Sequence, residues 1–139
     1  MSAILDSRTQ HVARLTLNRP ERHNAFDDAL IAGLTTELQR LDADDSIRVV
    51  VLAANGKSFS AGADIHWMQR MADYTEAQNL ADARALAGLM RTLDGLSKPV
   101  IAQVQGAAYG GGVGLVACCD IAIASATATF CLSETRLGL

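Results

Sequence analysis

The chain has 139 residues, half of them hydrophobic and 19% charged, with a net charge of −3. That balance fits one globular domain with a real core, 1–139, and excludes a disordered chain. No apolar run is long enough to span a bilayer and no Lys/Arg stripe marks a nucleic-acid surface, so neither a membrane nor a nucleic acid is expected as a partner.

In chain order, Ile4-Leu5 and Val12 to Leu17 read as two short strands, a hairpin around Ser7-Arg8-Thr9-Gln10. Pro20 stops the second strand. Asn24 reads as a helix N-cap with Asp27 in the first turn. Phe26, Leu30, Leu34, Leu38 and Leu41 recur at helical spacing, and the helix is predicted to end near Asp42 to Asp45. Ile47 to Ala53 is a near-continuous apolar run, the pattern of a strand covered on both faces. A turn at Asn55-Gly56-Lys57 leads to a loop and a short helix over Ile65 to Met71. Thr75-Glu76-Ala77-Gln78 has the form of a capping box and opens a helix to about Leu93, with Leu86, Met90 and Leu93 on its inner side. Gly88 inside that helix costs on the order of 1 kcal/mol, which predicts a close packing partner there. Val100 to Val104 is a second buried strand, Val113 to Cys119 a helix, and Ile121 to Ala124 and Ala128 to Phe130 short strands. The alternation predicts an α/β fold with largely parallel strands, either a coil of strand-helix units or an open doubly wound sheet.

Two small-residue loops stand after the two most apolar strands: Ser60-Ala61-Gly62-Ala63-Asp64 and Gly106-Ala107-Ala108-Tyr109-Gly110-Gly111-Gly112. Ligands of parallel sheets sit beyond the carboxyl ends of strands. Peptide N–H groups converging from two such loops can cradle a developing negative oxygen. Each loop also has a plainer reading: close helix–strand packing at the triple glycine, and a tight turn capping a helix through Asp64. The triple glycine is not a phosphate loop, because no Gly-Lys-Ser/Thr follows. Gly112-Val113-Gly114 with Ala117 is only a loose dinucleotide fingerprint: it comes third in the chain, and no acid ends the next strand. Ser60, His66 and Asp64 would crowd a triad into one turn, and no metal-ligand cluster is present in the sequence. Cys118, Cys119 and Cys131 have apolar neighbours and an odd count, so buried free thiols are expected. The start, Met1 to Asp6, shows no secretory pattern, and the expected compartment is a reducing cytoplasm.

Four motifs in order resemble the enoyl-CoA hydratase/isomerase (crotonase) family: Asn18-Arg19-Pro20 with His23-Asn24-Ala25-Phe26; Phe59-Ser60-Ala61-Gly62-Ala63-Asp64-Ile65; Gly106 through Gly112; and Cys119-Asp120-Ile121-Ala122-Ile123-Ala124. The resemblance implies a spiral of ββα units, a coenzyme A thioester as substrate, and no separate cofactor, since coenzyme A is part of the substrate. It implies donor amides at Ala63 and Gly111 for the thioester oxygen, and an acid/base carboxylate at Glu134, whose plainer reading is a surface glutamate. A second family glutamate would fall on Gly114, which carries none. Arg22 and His23, together with Ala61, Asp64, Ile65 and Gly110, are implied as substrate-binding, with a solvated surface role open for Arg22.

The Gly-Gly-Gly-Val-Gly-Leu and Ala-Cys-Cys-Asp runs look most like bacterial methylglutaconyl-CoA hydratases of leucine breakdown, and are similar to isohexenylglutaconyl-CoA hydratases. A single glutamate permits hydration and equally a Δ3-Δ2 enoyl-CoA isomerase; a non-catalytic acyl-CoA-binding or assembly module is the alternative of another class. Family members are longer, so the expectation is a crotonase-like core truncated before its C-terminal helices, exposing apolar surface. The resemblance implies a homo-oligomer, trimer or hexamer, for a complete protein.

Overall fold

The computed structural model describes residues 2–138. A hairpin of β1 (Ile4–Thr9) and β2 (Val12–Leu17) opens the chain, with Thr9 paired to Val12 and Gln10 at φ 53° in the turn. β2 is followed in its sheet by β3 (Val49–Ala54), β5 (Val100–Val104) and β7 (Ile121–Ala124), all parallel, in the order β1-β2-β3-β5-β7. A second sheet of three short parallel strands stacks β4 (Ser58–Ser60), β6 (Ala107–Tyr109) and β8 (Phe130–Cys131). Each turn of the chain runs through a strand of the large sheet, a strand of the small one, then a helical segment. This is a spiral of ββα units rather than an open doubly wound sheet.

The helices are α1 (Asp28–Asp42), α2 (Ile65–Met71), α3 (Glu76–Asp94) and α4 (Gly111–Ala117). α1 buries Leu30, Ile31, Leu34, Leu38 and Leu41, the i, i+4 stripe legible in the sequence, against the large sheet and α3. Leu15, Val50, Leu52, Val100 and Ala102 are fully buried from the sheet side. The Thr75 capping box forms as expected, with Gln78 reaching back to the Thr75 N–H at 2.9 Å.

Several expectations are corrected. Asn24 does not cap α1: it is fully buried at φ 52°, and its amide donates to the carbonyls of Asn55 (2.8 Å) and Ser58 (2.9 Å). The cap is Asp27, whose carboxylate accepts from the Leu30 N–H at 2.9 Å. Phe26, assigned to the helical stripe, precedes the helix and forms an isolated parallel bridge with Ala63. α4 begins at Gly111, two residues before the predicted start, and the loops on either side of Ser60 and Gly106 contain β4 and β6. The three cysteines are free but half-buried rather than buried. Gly88 has nothing within 4 Å of where a side chain would start, so no close partner explains it. β7 carries an apolar sequence yet is exposed along its whole length, with Ile123 61% exposed.

Two glycines therefore predict opposite outcomes. A Cβ at Gly106 would collide with the Lys57 carbonyl at the entry to β4. Gly106→Ala is expected to lower unfolding free energy by about 2–3 kcal/mol. Gly88→Ala, in open space on a helix, is expected to raise it by about 1 kcal/mol. Chemical denaturation of both variants reads the difference.

Candidate functional site

The site begins where three stretches of main chain meet. Phe26 donates its N–H to the Gly62 carbonyl (2.8 Å), and Asp64 donates its own to the Phe26 carbonyl (2.9 Å). In a parallel bridge the neighbours of the paired residue carry the bonds, so the Ala63 N–H is turned to the other side. Gly62, at φ 84°, faces the second loop: a Cβ there would lie 2.9 Å from the Tyr109 carbonyl oxygen and 3.6 Å from the Gly111 nitrogen. Only glycine permits both that backbone angle and that approach. In the second loop the Gly110 N–H goes to the Cys131 carbonyl, and the Val113 N–H closes the first turn of α4 on the Gly110 carbonyl. Among the described residues no acceptor takes the N–H of Ala63 or of Gly111.

Glu134 sits in a 3-10 turn, Ser133–Leu137, directly after β8. Its carboxyl packs on Gly110, in the space a side chain there would need, with Cδ 3.0 Å from the position of a Cβ. Its Oε2 is buried and has no hydrogen-bond partner among the described residues. Position 134 is thus not a solvated surface carboxylate: β8 pairs with β6 and so carries it back to the loop that holds Gly110 and Gly111.

Ala63 and the remaining predicted residues gather around one cavity. Arg22, His23, Ala61, Ala63, Asp64 and Ile65 line a cavity of about 340 Å³, joined by Ala25 and His66. The Asp64 side chain is 5% exposed and does two things at once. Oδ1 caps α2 by accepting from the His66 (2.9 Å) and Trp67 (3.4 Å) N–H groups, while Oδ2 takes Arg19 (3.2 Å) and Arg22 (3.1 Å). Burial opposes its ionisation, but the Arg22 hydrogen bond and the two capping amides outweigh burial and hold the carboxyl below its ordinary value of 3.8. His23 rests its Nδ1 3.0 Å from the Ser58 hydroxyl, and half-exposed Arg22 keeps guanidinium surface in the cavity. Ser60 is buried and donates to the Asn24 carbonyl (2.9 Å), so it is not a nucleophile facing the cavity. A larger open groove of about 670 Å³ lies between β1 and α1 and holds none of the predicted residues. There Arg40 is paired with Asp6 and Glu37.

The sequence reading missed the brace behind this arrangement. Arg19, 14% exposed, donates to the Asp27 carboxylate (2.8 Å), the Ala25 carbonyl (3.2 Å) and Asp64. It therefore ties residues 25–27 to residue 64 on both sides of the Phe26–Ala63 bridge. Its only signal in the sequence is its place in Asn18-Arg19-Pro20. Trp67 adds a second tie, donating Nε1 to Asp82 (3.0 Å) and fixing α2 to α3. The thiols take no part: burial first, then Cys118 and Asp120, push Cys119 up to about 12, and burial raises Cys118. No group of three His, Cys, Asp or Glu is placed to hold a metal ion among the described residues, and none of their helices is long and apolar enough to cross a membrane.

Residues 7–139 match the model of the enoyl-CoA hydratase/isomerase family, and the chain belongs to that family. It is 41% identical over 139 residues to 2,3-dehydroadipyl-CoA hydratase of Escherichia coli, covering 100% of this chain and 52% of the relative. It is 39% identical over 142 residues to 1,2-epoxyphenylacetyl-CoA isomerase of the same organism, covering 100% and 53%. A crystal structure from Legionella pneumophila, described as an enoyl CoA hydratase/isomerase (crotonase), superposes with a TM-score of 0.96 at 52% identity, over 100% of this chain and 54% of that one. The fold is crotonase-like, and the chain spans about half the length of the relatives it matches.

The Arg19 brace and the Asp64 cap give the site a defined pH response. Asp64 has a folded value below 3.8, so its ionisation favours the folded state fully above that value. The contribution is lost as pH falls from about 4 through the folded value. Asp64→Asn should flatten this part of the stability profile, as read by thermal unfolding between pH 2.5 and 7. Arg19→Met should cost about 3 kcal/mol at neutral pH, because it leaves two partly buried carboxylates short of a partner.

Proposed function

We propose that the protein hydrates an α,β-unsaturated acyl-CoA thioester through an enolate held by two main-chain donors, with one glutamate as acid and base. The observation that supports this reading is the junction of Gly62, Gly110 and Gly111, where the two loops meet main chain to main chain and the Glu134 carboxyl packs on Gly110, while the N–H groups of Ala63 and Gly111 are unshared among the described residues. Adding water to the double bond pushes negative charge onto the thioester oxygen. Donors from Ala63 and Gly111 meet that charge without reorganising, each worth about 3–4 kcal/mol. Glu134 takes a proton from water as the water oxygen attacks the β carbon, then returns it to the α carbon.

Coenzyme A belongs to the substrate in this reading, and no separate cofactor is proposed. Arg22, His23, Ala61 and Ile65 would hold the coenzyme A portion along the 340 Å³ cavity, and Gly110, with no side chain, would leave room for the Glu134 carboxyl beside the substrate. Asp64 would act by orienting Arg22, since it already binds two guanidinium groups. Methylglutaconyl-CoA is the proposed acyl group. The support is the likeness of the glycine run noted above and a relative named for 2,3-dehydroadipyl-CoA, whose acyl chain also ends in a second carboxylate. A homo-oligomer, trimer or hexamer, is proposed for the assembled protein.

A second reading is favoured by one observation. Position 114 is a glycine, so α4 offers no second carboxylate from that position to work with Glu134. A single group can shuttle a proton between α and γ carbons, as a Δ3-Δ2 enoyl-CoA isomerase requires, and a relative 39% identical is named an isomerase.

Product analysis separates the two. Incubation of the intact protein with methylglutaconyl-CoA and with a plain 3-enoyl-CoA is expected to give a β-hydroxyacyl thioester from the first. A shifted double bond from the second, without hydration, would favour the isomerase. Glu134→Gln is expected to lower kcat by about 10²–10⁴-fold with little change in KM. Acyl-CoA binding by wild type with no turnover of either substrate would make this a binding module and sink both enzymatic readings.

A further inference from the structure

We infer that the cavity assigned to the coenzyme A portion is a proton-linked anion clamp, in which His23 and His66 become cationic as the phosphates of the substrate bind. This deepens the proposed function and rests on its placement of coenzyme A. Among the described residues, the cavity lining holds three side chains able to carry positive charge, Arg22, His23 and His66, and one carboxylate, Asp64. The permanent cation is already engaged, since Arg22 donates to Asp64 at 3.1 Å. That carboxylate is committed in turn, with Oδ1 on the His66 and Trp67 N–H groups and Oδ2 on Arg19 and Arg22. Further positive charge for a phosphate must therefore come from the two imidazoles. Histidine is the side chain that changes charge between about pH 5 and 8. With Asp64 committed, the lining offers no free carboxylate to an imidazolium, so an incoming anion becomes its partner.

The backbone holds His23 at the cavity. His23 and Asn24 both lie in the left-handed region at φ 52°, uncommon for one residue other than glycine and costly for two in succession. Their neighbours keep them there: the Ala61 N–H donates to the His23 carbonyl (2.9 Å), and the Asn24 side-chain oxygen accepts the Arg19 N–H (2.8 Å). The His23 Nδ1 then lies 3.0 Å from the Ser58 hydroxyl. A hydroxyl donates to a neutral imidazole and accepts from a protonated one, so this contact survives either charge state. His66 stands in the first turn of α2 and lines the same cavity. The other charges nearby lie outside the lining. Glu21 precedes Arg22, Lys57 precedes Ser58, and Arg70, one turn along α2 from His66, is paired with Asp28 at 2.8 Å. Both histidines are exposed, so a bound phosphate can reach them and salt can screen them.

The test is calorimetric binding of coenzyme A to the intact protein at about pH 5.5 and about pH 8.5. The phosphate monoester of coenzyme A titrates in the same range, with a second pKa of about 6. Wild type is therefore compared at each pH with the double variant His23→Asn/His66→Gln, so that the titration of the ligand cancels. Asparagine suits the left-handed angle at 23 and glutamine suits a helix at 66. The ratio of affinities, wild type over variant, is expected to be about tenfold at the lower pH, a few-fold for each exposed ion pair, and to approach one at the higher. Added salt should shrink the ratio at the lower pH. S-acetylpantetheine, which carries no phosphate, is expected to give a ratio near one at both. His66→Gln alone keeps the loop at 23 intact and should show a few-fold part of the effect. A coenzyme A ratio equal at both pH values, or a pantetheine ratio that changes with pH in the same way, would overturn the clamp while turnover by wild type left the hydratase reading standing. The expected ratios with no turnover of any enoyl-CoA would keep the clamp and overturn the hydratase. Absence of coenzyme A binding would overturn the clamp together with the placement it rests on.

Discussion

Everything at the site hangs on how residues 25–27 are held against residues 62–64. The contact between Phe26 and Ala63 is a bridge of two main-chain hydrogen bonds with no strand on either side to continue it. An isolated bridge of that kind is weak in water, because each bond nets only about 1 kcal/mol. Arg19 makes it rigid. Its planar fork reaches a carboxylate on each side of the bridge, Asp27 and Asp64, and a carbonyl between them. Both carboxylates are N-caps, of α1 and α2. One half-buried guanidinium thus locks the starts of two helices to each other and fixes where the Ala63 N–H points. A lysine at 19 would supply charge without the fork.

The two sheets supply the rest of the aim. Parallel strands β3 and β5 send the chain over the same end of the large sheet, and the short strands β4 and β6 that follow pair with each other. Pairing β4 with β6 brings the loops after Ser60 and Tyr109 to adjacent levels. Gly62 then lets the loops touch main chain to main chain. The proposed donors are peptide groups whose positions are set by the fold, so they would not need to reorient as charge develops, which is the advantage of a backbone cradle over flexible side chains. β8 extends the same small sheet by one strand and delivers Glu134 to the third side.

Much of this was legible in the sequence, and the failures share a cause. α2, α3 with its capping box, β5 and β7 follow from local periodicity and capping chemistry, and their predicted limits lie close to those observed. The small sheet was invisible because strands of two or three residues, such as Phe130–Cys131, are too short to show a period. Asn24 was misread because a buried loop asparagine and an N-cap have the same local signature; only the carbonyls of Asn55 and Ser58, some thirty residues away, distinguish them. Phe26 fell on the helical stripe by spacing, yet its partner is Ala63. The bracing role of Arg19 left no local pattern because its two carboxylates lie 8 and 45 residues along the chain. The candidate residues came from ordered motifs, while the forces that position them act across the fold.

The glycine edge of α4 links the chemistry to what surrounds it. A second carboxylate brought close to Glu134 would repel the first, and the pair would have to share protons. With glycine at 114 that place carries no charge, and the end of Met90 lies against it. Under the proposed hydration the same carboxylate then both accepts the proton from water and gives it back to carbon. It can do so only if water and the α carbon are reached from one side of the double bond, so oxygen and hydrogen add to the same face. Absence of a charged group at 114 and the close approach of the thioether are one structural feature: with no side chain there, the Met90 methyl packs 3.1 Å from where a Cβ would stand.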